Sequence, residues 1–381
     1  MSAEQYQKRG VSPTKEDVHK AISGQDKGLF PGAFCKIVED PAGDPAFCSV
    51  MHADGAGTKS ALAYIRYRET GDANAFGGTA QDSIVMNVDD LLCVGALGGF
   101  VVSNTIGRNA HRVGGDAVKA LIEGYAAFAE SMAGHGISMF PAGGETADVG
   151  DLVNTVIVDS TVFVRLRRDR VVDCADIRAG DAIVGLSSTG RAVYEKAENS
   201  GIGSNGLTAA RHLMLSKYYA EKYPETFSAT LDMADVYCGR FRMEDVLPGS
   251  SMTVGDALLS PTRTYAPIVK DVLENAFGEV HGIVHCTGGG QKKCVSFGSG
   301  LHYVKDNPFP VPPLFAAIRE SGNMELDEMY QIFNMGHRME IYCDPQAADA
   351  IAAISQKYGV EARVVGRVEK SRDGKNAVTI G

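Results

Sequence analysis

Acidic side chains gathered on one element can hold divalent cations, and this sequence sets Asp82, Asp89 and Asp90 in a stretch of helical periodicity. Ile84, Val88, Leu91 and Leu92 mark one apolar face of a helix expected over 81–94. Seven helical residues return to nearly the same face with a rise of about 10 Å. Asp82 and Asp89 therefore point the same way, two turns apart. Magnesium takes oxygen ligands at about 2.1 Å, so these two would hold two ions bridging a polyphosphate rather than chelate one. The flanking runs SIVMNV and LLCVGALGGFVV are too apolar for a solvated helix face. Buried acids need cations or hydrogen bonds, and cation or nucleotide work is the expectation. Asp54 adds a fourth acid at the end of a strand expected over 46–53, where the turn DGAGTK begins.

Three glycine-rich turns follow apolar strands: DGAGTK (54–59), AGGETAD (142–148) and TGGG (287–290). Glycine lets the main chain approach an anion and turn its N–H groups towards it. None of them is a P-loop, since GxxxxGK[ST] is absent, and none is a dinucleotide fingerprint. Lys59 closes the first turn, where a lysine beside acids and glycines can neutralise phosphate; otherwise it is a surface lysine. Ser204 and Asn205, between glycines, suit a second phosphate or a polar substrate, or cap the helix that follows.

The elements that must position these groups alternate between strand and helix. Val118, Leu121, Ile122, Tyr125, Phe128, Ala129 and Met132 recur at steps of three and four, giving a helix over 115–133 that Gly134 ends. Thr79 and Asp82 resemble a capping box. A short strand (137–140), the AGGETAD turn and a β-rich run (153–166) follow, and the charged stretch 165–170 sets a domain boundary near Arg168. The second half reads as a strand (182–186), the loop GIGSNG (201–206), one helix (207–219) and an irregular charged segment (223–250). SPTRTY (260–265) leads into a helix ending near Phe277, and the strand VHGIVHC runs into TGGG. GHRMEIYC is a strand, 345–358 a helix with Pro345 at its start, and 362–380 a last strand pair. The class is α/β or α+β, in two domains, 1–168 and 169–381.

Composition narrows the classes. Over 381 residues, Lys+Arg 37 against Asp+Glu 47 gives a net charge of −10, unlike a nucleic-acid binder. No run is long enough to span a membrane and no secretory signal is visible. Eight cysteines without a CxxC pair favour reduced thiols and a cytoplasmic location. His281 and His285 share a strand face, yet no further Cys or His stands at zinc spacing, so a structural or solvated role is expected.

The motifs DGAGTK, Asp89-Asp90-Leu91, Gly143-Gly144-Glu145-Thr146-Ala147, Ser204-Asn205-Gly206, Pro261-Thr262-Arg263, Thr287-Gly288-Gly289-Gly290 and Glu328-Met329-Tyr330 with Phe333-Asn334-Met335-Gly336 occur in that order. Together they closely resemble the phosphoribosylformylglycinamidine cyclo-ligase (aminoimidazole ribonucleotide synthetase) family of purine biosynthesis, from about Gly28 to the C-terminus. DGxGTK and GGETA are shared with a wider ATP-using superfamily; PTR, TGGG and EMYxxFNMG point to the cyclo-ligase. The resemblance implies a homodimer whose N-terminal sheets meet in a barrel, with ATP near that interface. The implied reaction turns formylglycinamidine ribonucleotide and ATP into aminoimidazole ribonucleotide, ADP and phosphate. On this likeness Asp54, Asp82 and Asp90 are candidates for Mg2+ bound with ATP, and Asp54, Lys59 and Asp90 for catalysis. Gly55, Gly57, Thr58, Lys59, Asp82, Gly143, Gly144, Glu145 and Thr146 would take the nucleotide, beneath a covering loop at 28–34 (GLFPGAF). Ser204, Asn205, Gly206, Thr287, Gly288, Gly289 and Gly290 would hold the phosphorylated ribonucleotide substrate.

The chain departs from the family pattern mostly in the substrate half. Asp89 stands for a usual Asn, and Gly203 for a His, after a longer loop (191–201). Gln291, Lys292 and Lys293 replace an aromatic and Glu-Asn, and His337 and Arg338 stand where small or apolar residues are common. Nucleotide use is thus a firmer expectation than the acceptor. A superfamily kinase or synthetase with another small-molecule acceptor, or a nucleotide-binding homologue without catalysis, are the alternatives.

Overall fold

A computed structural model describes residues 4–12 and 16–381. Helices α1 (Glu4–Gln7) and α2 (Glu16–Ile22) precede a five-stranded sheet. Its strands are β1 (Val38–Glu39), β2 (Phe47–Gly55), β3 (Phe100–Arg108), β4 (Met139–Asp148) and β5 (Val156–Arg167), in the order β1-β2-β5-β3-β4. Only β3 and β4 run parallel; the other neighbours are antiparallel. Strand β5 alternates strictly: Val156, Val158, Ser160, Val162, Val164 and Leu166 are buried, and the residues between them face outwards. The buried face lies under α3 (Lys59–Thr70), α4 (Gly77–Leu92) and α5 (Gly115–Ala133). Within one chain this sheet is open, and no closed barrel forms among the described residues.

The second sheet has the order β11-β8-β10-β6-β9-β7. It comprises β6 (Ala182–Ser187), β7 (Val280–His285), β8 (Leu301–Lys305), β9 (His337–Cys343), β10 (Ala362–Lys370) and β11 (Ala377–Ile380). Every residue of β6, β7 and β9 is buried, so polar ones among them, such as His285, Arg338 and Glu340, need partners. Helices α6 (Leu207–Met214), α7 (Lys217–Lys222), α8 (Val254–Leu259), α9 (Ala266–Ala276), α10 (Pro313–Gly322), α11 (Leu326–Ile332) and α12 (Ala348–Lys357) complete the half. Helix α4 packs on β2 and β5 and also touches β7 and α9. Its carboxylates therefore stand between the two sheets.

Several local expectations need correction. AGGETAD is not a turn: 139–148 is one strand, because its main chain pairs with β3 in parallel register. Helix α4 starts at Gly77, and Thr79 Oγ1 donates to the Phe76 carbonyl (2.7 Å) while Asp82 is held elsewhere, so no capping box forms. The helix expected over 207–219 breaks at Leu215 and Ser216, which bridge to Phe241 and Gly239. Pro345 lies in a turn ahead of α12. The last two strands are not partners: β8 lies between them, antiparallel to β10 and parallel to β11.

Candidate functional site

Strand β2 delivers Asp54 and His52 on one face, since they are two residues apart. Both face the α4 side, pairing in the ladder with buried Ser160 and Val162. Asp54 is exposed at the strand end, its carbonyl accepting from Asn87 Nδ2 (3.2 Å). Asp159 pairs with Gly55 on the sheet's outward face; burial, then the Asp54 charge, raise the Asp159 pKa above the usual carboxylate range. Glu145 shares the row of Asp159, through the pairs Asp159–Thr105 and Thr105–Glu145, whereas Asp54 is in the row of Ser160, Asn104 and Gly144.

The helix carboxylates are bonded within the protein. Asp82 Oδ1 accepts from Lys59 Nζ (2.6 Å), the Thr262 amide (2.7 Å) and Thr262 Oγ1 (2.5 Å), and Lys59 Nζ also donates to the Ser260 carbonyl (2.8 Å). Asp82 and Lys59 are wholly buried, and burial lowers the Lys59 pKa. Asp89 accepts from Thr264 Oγ1 (2.6 Å) and the Tyr265 amide (3.3 Å), with Arg338 Nη2 3.9 Å away. Burial pushes the Asp89 pKa up to about 7, against the pull of Arg338. Asp82 and Asp89 do point the same way, and what they hold is the Thr262–Tyr265 segment.

Asp90 sits in a chain of polar contacts. Its Oδ1 is 2.6 Å from His285 Nδ1 and its Oδ2 is 3.4 Å from His52 Nε2. His52 Nδ1 donates to Asn87 Oδ1 (2.9 Å), because Asn87 uses its amide N–H groups on main-chain carbonyls. Arg338 Nε donates to His285 Nε2 (3.1 Å), so His285 carries its proton on Nδ1 and gives it to Asp90. Burial opposes charge on Asp90, yet Lys293, His285 and His52 outweigh it and hold its pKa below the usual range. Asp54, Asp82 and Asp90 are thus neighbours around α4 that do not meet at one point. Among the described residues the one group of three side chains close enough to share an ion is Asp181, His281 and Asp344. Arg178 already occupies it, with Nη2 3.0 Å from His281 Nε2 and 3.2 Å from Asp344 Oδ1. His281 Nδ1 meets Asp181 Oδ1 at 2.9 Å. Asp54 at the strand end and Asp90 deeper in the cleft are the carboxylates on the α4 side that a cation would meet, whereas Asp82 is engaged by Lys59.

The glycine-rich loops of the second half converge on Phe333. A Cβ at Gly206 would lie 2.2 Å from the Phe333 ring, and one at Gly290 would lie 2.7 Å from the Phe333 carbonyl. Both glycines have positive φ, so no other residue fits either position. Ser204 Oγ contacts Thr262 Oγ1 (3.1 Å), and Thr58 Oγ1 contacts Thr208 Oγ1 (3.0 Å), which joins DGAGTK to the start of α6. Asn205 is partly exposed, and its Oδ1 has no hydrogen-bond partner. Thr287 Oγ1 accepts from Lys293 Nζ (2.7 Å), while Gly288 is exposed. The loop 28–34 reaches this place: Phe34 stacks on Phe297 (5.3 Å) and lies under Lys293 Nζ (4.3 Å). A Cβ at residue 203 would lie 2.9 Å from Arg338 Nη1, so Gly203 and Arg338 form one arrangement. Arg263 is bound to Glu195 and to the carbonyls of Ser187, Thr189 and Gly190.

Gly143, Gly144, Glu145 and Thr146 lie on the edge strand β4, all exposed. They border a cavity of about 340 Å³ walled by Ile84, Val102, Ile106, Tyr125 and Met139. Sequence reasoning did not single out His52 or Asp159. The signal for His52 was its spacing of two from Asp54 on a strand; Asp159 lies on the outward face, away from the Asp54 side chain.

Residues 37–164 match the family described as AIR synthase related protein, N-terminal domain, and residues 178–378 its C-terminal domain. The phosphoribosylformylglycinamidine cyclo-ligase of Methanocaldococcus jannaschii is 30% identical, over 87% of this chain and 81% of that protein. That of Thermococcus gammatolerans is 33% identical, over 85% and 80%. Thermotoga maritima PurL complexed with FGAR superposes with a TM-score of 0.55 at 19% identity, over 94% of this chain and 47% of its own, so this chain spans about half of PurL. Thiamine-monophosphate kinase from Stenotrophomonas maltophilia K279a superposes at 0.50 and 13% identity, with 96% of each chain covered. At such identities the two structures establish the fold alone. Both domain matches and the full-length relatives agree: the chain belongs to the AIR synthase family.

Proposed function

We propose that this protein closes the imidazole ring of aminoimidazole ribonucleotide, using ATP and formylglycinamidine ribonucleotide and releasing ADP and phosphate, as a cytoplasmic step of purine biosynthesis. The observation that carries the reading is the meeting of DGAGTK, SNG and TGGG with Asp90 between the two sheets, in a chain whose full-length relatives bear the cyclo-ligase name. A formamide oxygen is a poor leaving group. Its attack on the γ-phosphorus expels ADP and gives an iminophosphate; the amidine nitrogen then bonds to that carbon, the C–O bond breaks, phosphate leaves and the nitrogen gives up a proton. The protein's tasks are positioning and charge stabilisation.

In this reading the nucleotide lies along Gly55, Gly57 and Thr58 and along Gly143, Gly144, Glu145 and Thr146, its base in the apolar cavity beside them. Asp54 and Asp90 would hold magnesium, which neutralises triphosphate charge. Asp82 serves the site by fixing Lys59 and Thr262. Ser204, Asn205 and Gly206 with Thr287, Gly288, Gly289 and Gly290 take the acceptor and its 5′-phosphate, with Lys293 supplying positive charge. Residues 1–168 form the nucleotide and dimerisation domain and 169–381 the substrate domain. Two copies pair through their N-terminal sheets to close a barrel. The test is incubation with ATP, magnesium and formylglycinamidine ribonucleotide, assayed for aminoimidazole product and ADP. Asp54→Asn is expected to lower turnover at least about a hundredfold. A persistent phosphorylated acceptor in place of a closed ring would reassign the protein as a kinase.

A further inference from the structure

Gln291 directly follows the TGGG turn and is buried. Its Nε2 donates to the Asn334 carbonyl (2.5 Å) and to the His337 carbonyl (2.7 Å). Lys305 Nζ donates to its carbonyl (2.5 Å) and to its Oε1 (3.2 Å), so every polar atom of the side chain is assigned. Lys305 in turn pairs with Glu340 Oε1 (2.5 Å), and neither has exposed surface. Glu340 also meets His337 Nε2 (2.9 Å) and accepts from Tyr342 Oη (2.6 Å). Asn334 extends the network. Its Oδ1 accepts from Ser188 Oγ (2.8 Å), and its Nδ2 donates to the Gly201 carbonyl (2.7 Å).

The Thr287–Gly290 turn and the strip 334–338 are therefore tied through the Gln291 amide to a buried ion pair, and the Asn334 amide extends the tie to the loop that begins at Gly201. Such a pair is a weak source of stability, since desolvating both charges offsets most of their attraction. What it does supply is direction: Lys305 can satisfy its donors only with Gln291 and Glu340 both in place. We propose that Gln291 is a positioning residue, anchored by Lys305 and Glu340, that sets the distance between the Thr287–Gly290 turn and the Asn334–Arg338 strip and so the seat of a phosphorylated acceptor. The proposal rests on the reading of Thr287–Gly290 as part of the acceptor site.

Gln291→Met keeps the volume and leaves Lys305 paired with Glu340. Hydrogen exchange is expected to quicken at the amides of residues 288–290 and 334–337, with the KM for formylglycinamidine ribonucleotide raised about tenfold or more and the KM for ATP unchanged. Gln291→Glu, which keeps an acceptor for Lys305 but loses the donors to Asn334 and His337, is expected to share the exchange change. Lys305→Met/Glu340→Met, which removes both charges together, is expected to reproduce the KM shift while remaining folded. Unaltered exchange in Gln291→Met, or equal changes in both KM values, would overturn the proposal. Exchange is read without turnover, so a wild-type enzyme that forms no imidazole sinks the reaction and leaves the positioning result standing.

Discussion

Lys59 Nζ lies 2.6 Å from Asp82 Oδ1 with neither residue exposed, and the same carboxylate oxygen accepts from the Thr262 amide. A lysine that closes a glycine-rich turn is thereby a tie between α3, α4 and the segment leading into α9. Lys59→Met leaves a buried carboxylate without its cation, at an expected cost of about 3–5 kcal/mol. Lys59→Met/Asp82→Asn keeps an acceptor for Thr262 and is expected to recover more than half of the loss. Urea unfolding of the two variants checks this; a single variant as stable as wild type would show that the pair contributes nothing.

His285 gives a pH signature. Burial, only partly opposed by Asp90, lowers its pKa from 6.5 to about 4, and Arg338 Nε already donates to the nitrogen that a second proton would need. The folded state therefore binds fewer protons than the unfolded state between those values. Stability falls as pH drops from about 6.5 towards 4, and is flat in this respect above 6.5. Replacing the ring by Gln, which donates to Asp90 and accepts from Arg338, is expected to flatten that slope. Urea midpoints at pH 7, 6, 5 and 4 measure it, and an equal slope in His285→Gln would assign the acid sensitivity to other groups.

What the sequence made legible were features whose cause is local. Helix α5 runs over Gly115–Ala133 as its apolar steps of three and four require, and Asp82 and Asp89 share a face because a helix brings them there. The partner of that face is the Thr262–Tyr265 segment, far along the chain, and pairings at such separations leave no local mark. GGETA misled in another way. Its glycines signal a turn, yet register with β3 extends it, which only the tertiary sheet decides.

The sheet's outward face leads to the last prediction. Met51 pairs with Phe163, Phe163 with Val101 and Val101 with Phe140, so an apolar row crosses four strands in ladder register. Met51 is 67% and Phe140 57% exposed, a pattern that marks interfaces more often than free surface. Strand β4, at the edge, also offers unpaired main-chain groups to a second sheet. A two-fold axis uses each residue twice, and burying one such side chain contributes about 1.5–3 kcal/mol. Phe140→Asp should thus weaken the proposed homodimer by at least about 3 kcal/mol, more than about a hundredfold in Kd. Val246→Asp, at a still more exposed apolar position in the second half, should leave it intact. Sedimentation at micromolar concentration distinguishes them: a dimeric wild type and Val246→Asp beside a monomeric Phe140→Asp is the expected outcome, whereas a monomeric wild type would leave the row without a partner and remove the barrel from the account.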